Sequence, residues 1–175
     1  MSKKLNKCIL LDRDGVLNVE RGDYVYTEAD FEIEKGVPQG LQKLKAAGFG
    51  LVVVTNQGGI CKKMYSSQEV RSLHEIIQKA SNHVIDYLLY APLHNSFTKS
   101  LASKPGSLMM ERGLGLTNSD ANSSWLIGDA ERDLIAGKMV GVRTILIPTL
   151  KERQSIYADF VCKDFSEAVS VILSS

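Results

Sequence analysis

Four short polar segments hold the residues of this chain that could do chemistry. They are Asp12-Arg13-Asp14-Gly15, Thr55-Asn56-Gln57-Gly58-Gly59, Ser103-Lys104-Pro105-Gly106, and Gly128-Asp129 with Asp133 just beyond. Carboxylates brought together repel unless a cation neutralises them, and hard oxygen ligands with room for water suit Mg²⁺. A lysine, a threonine hydroxyl and the N–H groups of a Gly-rich turn suit a phosphate. A carboxylate can attack phosphorus and split one hard displacement into two through an aspartyl-phosphate. A second carboxylate two residues along could protonate the leaving alcohol and then deprotonate water. The cation and the lysine would offset charge on the transferring phosphoryl group. Taken singly, each segment reads equally well as turn or cap chemistry. Taken together, each at a strand end or a helix start, they are poorly explained that way.

The elements that must position them are legible as alternating patterns. Cys8–Leu11 and Leu51–Val54 are short continuous apolar runs, as expected of strands buried on both faces. Between them Val37, Leu41 and Leu44 recur at helical spacing, with Gly48 as the stop. Ser66 and Glu69 form a capping-box pattern ahead of Val70, Leu73, Ile76, Ile77 and Ala80, so a helix is predicted from near Ser67. Tyr87–Tyr90 reads as a third strand. Pro105 fits the first turn of a helix carrying Leu108 and Met109, with Gly113 and Gly115 near its end. Trp125–Ile127 is a fourth strand. Leu134, Ile135 and Met139 mark a helix closed by Gly141. Val142–Ile147 is a fifth strand stopped by Pro148, Phe160–Val161 is a short edge strand, and Asp164 caps a last helix. This alternation predicts an α/β fold with a parallel sheet. Ligands of such sheets bind at the carboxyl ends of the strands, where all four polar segments fall. The two irregular stretches, Arg13–Lys35 and Ala91–Lys104, are of a length often given to function.

Composition is that of an ordinary globular protein: 44% hydrophobic and 23% charged residues in 175. One domain spanning 1–175 is expected. Lys and Arg total 21 against 20 for Asp and Glu, so nothing draws the whole molecule to nucleic acid or an anionic membrane, and phosphate binding must be local. Cys8, Cys61 and Cys162 lie far apart, without metal spacing, and read as thiols in a reducing cytoplasm. The first apolar stretch is too short for a signal-peptide core, and no run approaches a transmembrane length. The expectations are a cytoplasmic location, no membrane or nucleic-acid partner, and a monomer or small homo-oligomer.

LLDRDGVLN, VVVTNQGG, SKPG and LIGDAERD resemble, in order and spacing, the four motifs of the haloacid dehalogenase superfamily of phosphotransferases. DRDGVLNVERGDYV and KAAGFGLVVVTNQGGI resemble the branch of heptose bisphosphate and histidinol-phosphate phosphatases. The resemblance implies a three-layer, doubly wound, Rossmann-like parallel sheet with the first strand flanked by the second and fourth. It implies Asp12 as nucleophile and Asp14 as acid/base. Thr55, with the Asn56 backbone, and Lys104 would bind the phosphoryl group, with Gln57 also at the phosphate or substrate. Mg²⁺ would sit on Asp12, the Asp14 carbonyl and Asp129, with Asp133 orienting the site. Both segments where the superfamily inserts a cap are short here, which implies a capless protein with an open site.

Specificity would then fall to the irregular loops or a partner subunit. Arg21, Tyr24 and Tyr26 are candidates for substrate contact, the tyrosines alternatively for packing within the loop. Relatives often carry a Cys/His zinc cluster ahead of the lysine. The segment YAPLHNSFTKSLASKPG has no cysteine and a lone His94, so no structural zinc is predicted and His94 reads as an ordinary loop histidine. Ser103 and Ala130 stand where relatives often carry Arg and Lys. A second acidic group on the substrate would then need another partner, such as Lys62 or Lys63, which alternatively are solvated surface charges. The expected activity is Mg²⁺-dependent hydrolysis of a small phosphate ester, a sugar phosphate such as D-glycero-D-manno-heptose 1,7-bisphosphate, with histidinol phosphate as the alternative within the same chemistry. A phospho-accepting receiver module is the alternative from another class. Against it, the acceptor follows the first strand and has Asp14 beside it. A scaffold that binds phosphate without turnover is a third reading, set against four intact motifs.

Overall fold

The computed structural model describes residues 6–149 and 153–175. Six parallel strands run β1 (Lys7–Leu11), β2 (Phe49–Asn56), β3 (Tyr87–Ala91), β4 (Trp125–Gly128), β5 (Arg143–Leu146) and β6 (Phe160–Val161). Their order across the sheet is β3-β2-β1-β4-β5-β6. The chain builds outward from β1 to β3 and then returns to add β4 on the other side of β1. The reversal opens a crevice at the carboxyl ends of β1 and β4, the switch point at which such sheets bind ligands.

Strand side chains alternate between two cores, as a period of two requires. Ile9, Leu11, Leu51, Val53, Trp125 and Ile127 belong to one apolar cluster; Cys8, Leu10, Val52, Val54 and Leu126 belong to the other. Helices α1 (Val37–Ala46) and α5 (Phe165–Leu173) cover the first face with Leu41, Leu44, Phe165 and Val169. Ile77 of α2 (Ser67–Ala80) joins the same cluster. Helices α3 (Leu108–Thr117) and α4 (Glu131–Val140) cover the second face with Met109, Met110, Leu134 and Ala136. Strands β1, β2, β4 and β5 are therefore buried on both sides while the edge strands β3 and β6 are partly exposed, and the architecture is the expected three-layer one.

Local signals account for most boundaries. Ser66 and Glu69 form the reciprocal capping box of α2, and the Asp164 side chain accepts the Glu167 N–H at the start of α5. Gly141 ends α4 in the left-handed region at φ +82°. One expectation is corrected. Pro105 is not in the first turn of α3, which begins at Leu108. It lies in a tight turn closed by the Gly106 N–H on the Ser103 carbonyl at 2.8 Å, with a cis Lys104–Pro105 peptide. The fifth strand is also shorter than predicted, since Val142 lies before it and Ile147 after it. The stretch 13–35 carries one short 3₁₀ turn, Glu28–Asp30, and 91–104 has no helix. No helix among the described residues is long and apolar enough to cross a membrane. The three cysteines are free, Cys8 and Cys162 buried.

Candidate active site

Asp12 leaves the end of β1 between β2 and β4, its N–H bonded to the Ile127 carbonyl at 3.0 Å. Its Oδ1 accepts the Arg13 N–H at 2.7 Å and lies 2.8 Å from Lys104 Nζ. Lys104 reaches Asp133 Oδ1 with the same ammonium at 2.7 Å. All three side chains are essentially buried. Asp133 Oδ2 accepts the Ala130 N–H at 3.1 Å, which anchors the start of α4. Carboxylate oxygens of Asp12, Asp129 and Asp133 lie within 4.8 Å of one another.

Charge decides how these groups sit. Burial, then the neighbouring Asp133, pushes the Asp12 carboxyl up to about 7 against the pull of Lys104. Burial, then Asp12 and Asp133, pushes Asp129 up to about 8. For Asp133 burial also acts upward, but Lys104, Arg132 and the hydrogen bonds it accepts outweigh it and hold it below the ordinary carboxylate value. Lys104 is raised, because its two carboxylate partners outweigh the cost of burial. One ammonium thus serves two carboxylates, and the third is left over. Asp129 Oδ1 is buried with no hydrogen-bond partner among the described residues. An orphaned carboxylate oxygen beside a second raised carboxylate is what a hard divalent cation satisfies, so the residues fit one.

Gly15 is part of this arrangement. At φ +83° it turns the chain, and a Cβ there would lie 2.4 Å from Asp129 Oδ2. Gly15→Ala is expected to displace Asp129 and lower divalent-cation affinity about 10–100-fold, read as the cation concentration for half-maximal activity. An unchanged value would show that Asp129 does not hold the ion.

The Asp14 side chain belongs to a second, adjoining group. Its carboxylate accepts from Arg13 Nη2 at 2.9 and 3.1 Å, Asn18 Nδ2 at 3.1 Å and Gln57 Nε2 at 3.2 Å. Gln57 Nε2 also donates to Thr55 Oγ1 at 2.9 Å, and the Tyr65 hydroxyl donates to Gln57 Oε1 at 2.8 Å. Thr55 and Gln57 are buried at the end of β2. Asp12, Lys104, Asp129 and Asp133 therefore meet directly, while Asp14, Thr55 and Gln57 form a linked set beside them.

Other expected site residues have structural employment. The Asn56 side chain grips the Lys104 backbone, accepting its N–H at 2.9 Å and donating to its carbonyl at 3.1 Å, and so ties the lysine turn to β2. Arg21 Nε donates to the Asp30 carbonyl at 2.7 Å, and its guanidinium lies 3.4 Å from Glu32. Lys62 Nζ donates to the Tyr24 hydroxyl at 2.9 Å and lies over that ring, while Lys63 is exposed. Tyr26 stacks on Tyr65 at 5.3 Å and Tyr24 meets it edge-on at 6.0 Å, so both tyrosines pack, though on a residue outside their own loop. His94 bonds with Ser96, and its Cβ covers Gly58. Ser103 is buried and bonds to the Leu93 carbonyl. Arg13, Asn18 and Tyr65 were not singled out by spacing. Arg13 lies inside the first polar segment, but Tyr65 carries no local signal. A cleft of about 1000 Å³ opens beside Gly15 and Asp129, lined by Arg21, Lys35, Arg132, Arg153 and Lys163 together with Glu20, Glu34 and Asp164.

A family model described as HAD-hydrolase-like matches residues 101–168. The chain is 35% identical over 156 residues to the D-glycero-beta-D-manno-heptose-1,7-bisphosphate 7-phosphatase of Pasteurella multocida, covering 84% of each. It is 29% identical over 170 residues to the Helicobacter pylori protein of the same name, covering 95% of this chain and 98% of that one. The crystal structure of the D,D-heptose 1,7-bisphosphate phosphatase from B. bronchiseptica, complexed with magnesium and phosphate, is similar with a TM-score of 0.86. At 22% identity, covering 96% of this chain and 98% of that one, the likeness is one of fold.

Proposed function

We propose, from the premise that this chain belongs to the haloacid dehalogenase-like hydrolases and is a phosphoric monoester hydrolase, that it removes a phosphoryl group from a small sugar phosphate through an aspartyl-phosphate on Asp12. D-glycero-D-manno-heptose 1,7-bisphosphate is the proposed substrate, supported by relatives of that activity at 29–35% identity along most of the chain. The observation that carries the chemistry is the meeting of Asp12, Lys104, Asp129 and Asp133 at the switch point. Lys104 and the Arg13 N–H both engage Asp12 Oδ1, which leaves Oδ2 as the attacking oxygen. As the Oδ2–phosphorus bond forms and the ester P–O bond breaks, Asp14 gives its proton to the departing alcohol oxygen. It then takes a proton from the water that attacks the acyl phosphate, releasing phosphate and restoring Asp12. Thr55 and Lys104 would steady the phosphoryl oxygens.

Mg²⁺ is the proposed cation, held by the Asp12 and Asp129 carboxylates and the Asp14 carbonyl. When bound it would supply charge neutralisation for the carboxylates and the phosphoryl group. Asp133 is employed by Lys104 and the Ala130 N–H and acts as an orienting group. Among the described residues, the cleft beside Asp129 is lined by five basic residues and, apart from Asp129, three acidic ones, which suits a polyol that carries a second phosphate.

Cation binding should report on the raised carboxylates. Asp12 and Asp129 have folded values of about 7 and about 8 against an unfolded carboxyl near 3.9. The folded protein without Mg²⁺ therefore binds more protons than the unfolded chain between about pH 4 and 8, and loses stability as pH rises through that window. The Asp12 and Asp129 carboxylates would give up those protons on holding Mg²⁺. The rise in Tm on adding Mg²⁺ is expected to be larger at pH 8 than at pH 5; an equal rise at both would place the ion elsewhere.

The reading is tested by a Mg²⁺-supplemented panel of phosphorylated metabolites ranked by kcat/KM. The expected leader is heptose 1,7-bisphosphate. A lead for histidinol phosphate would move the substrate assignment, and a long-lived aspartyl-phosphate with no turnover would favour a receiver.

A further inference from the structure

Gln57 is buried and has no free end to offer a substrate. Its Oε1 accepts from the Tyr65 hydroxyl at 2.8 Å, while its Nε2 bridges Asp14 Oδ2 at 3.2 Å and Thr55 Oγ1 at 2.9 Å. These partners fix the direction of the amide. The Asp14 carboxylate can accept only from the nitrogen end and so sets the direction, and the Tyr65 hydroxyl, able to donate or accept, then donates to the oxygen end. Reversing the amide would turn its oxygen against the Asp14 carboxylate. Removing the Tyr65 hydroxyl would leave a buried carbonyl unpaired and the amide held from its nitrogen end alone.

Tyr65 itself is tightly held. Tyr26 stacks against its ring with 17° between the planes, and Tyr24 meets it edge-on. Gly59 leaves the space that the ring fills, since a Cβ there would lie 2.2 Å from it. Burial pushes the hydroxyl up to about 12, so it keeps the proton it donates. Arg13 and Asn18 hold Asp14 Oδ1, and Arg13 reaches Oδ2 as well. The Gln57 side differs from theirs, because the same amide nitrogen also holds the Thr55 hydroxyl. It therefore fixes the acid/base relative to the phosphoryl-binding strand end.

We infer that Tyr65 is a positioning residue for Asp14, acting through Gln57, and that Gln57 orients Asp14 and Thr55 instead of binding substrate. The inference rests on the proposed acid/base role of Asp14. A misplaced acid slows reactions that need a proton on the leaving oxygen and spares those whose leaving group departs as an anion.

The test compares kcat/KM for phenyl phosphate, which needs that proton more, with p-nitrophenyl phosphate, which needs it less. Tyr65→Phe keeps the ring contacts and removes the hydroxyl. It is expected to lower kcat/KM about 10-fold more for phenyl phosphate than for p-nitrophenyl phosphate. Gln57→Leu should show the same selectivity, and adding Tyr65→Phe to it should cost nothing further. Equal losses on both substrates would reduce Tyr65 to a packing residue, and losses that multiply in the double variant would show that it does not act through Gln57. Either result overturns the inference. Asp14→Asn, measured on the same pair, separates the two levels. If it discriminates and Tyr65→Phe does not, the inference alone falls; if it does not discriminate, the acid/base reading falls and takes the inference with it.

Discussion

Asp12→Asn is expected to lower turnover of any phosphate ester about 10⁴-fold or more while the protein still folds. An amide oxygen can accept from the Arg13 N–H and Lys104 as Oδ1 does now, so the packing around β1 should persist. An amide is a poor nucleophile and cannot form the acyl phosphate, so no covalent route remains. The measurement is phosphate release beside a circular dichroism melt. Activity within tenfold of the parent would exclude Asp12 as the nucleophile.

Lys104→Met is expected to have the largest effect on stability. The ammonium is buried between Asp12 and Asp133 at 2.8 and 2.7 Å. Removing one partner of a buried ion pair costs about 3–5 kcal/mol, because the remaining charge is left uncompensated. Here two carboxylates are stranded, and a third lies within 4.8 Å. Urea unfolding at neutral pH without Mg²⁺ should show a loss of that size, and lowering the pH should recover part of it as the carboxylates protonate. The same variant should lose about 10²–10³-fold in kcat, the scale of removing one preorganised donor. A stable, active Lys104→Met would mean that the triad is incidental.

The strands and the place of each polar segment were readable because burial writes local patterns, whereas the order of the strands across the sheet came from the family resemblance. A run such as Leu51–Val54 is apolar on both faces because both faces are covered, and Ser66 with Glu69 announces a helix start through bonds three residues apart. What spacing cannot carry is contact across the chain. Asn56 grips the Lys104 backbone over 48 positions, and nothing in either segment signals that its side chain is spent there. Tyr65 reaches Gln57 from the turn before α2, and Tyr24 and Tyr26 pack on it from another loop. The loop aromatics accordingly read as open between substrate contact and packing. Pro105 misled because a proline before a helix suits its first turn, whereas here the Ser103–Gly106 turn uses it three residues ahead of Leu108. The site was thus legible as a set of strand ends, and its internal hydrogen bonding was not.

The covalent intermediate is the most direct test. Asp14→Asn should still transfer phosphoryl from p-nitrophenyl phosphate but fail to activate water, so the acyl phosphate accumulates. Acid quenching, borohydride reduction and trypsin digestion would convert a phosphorylated aspartate to homoserine within the peptide Cys8–Arg13, whose only acidic side chain is Asp12. Homoserine at position 12, appearing with a burst of nitrophenol, is the predicted result. A burst that leaves Asp12 intact would contradict the account.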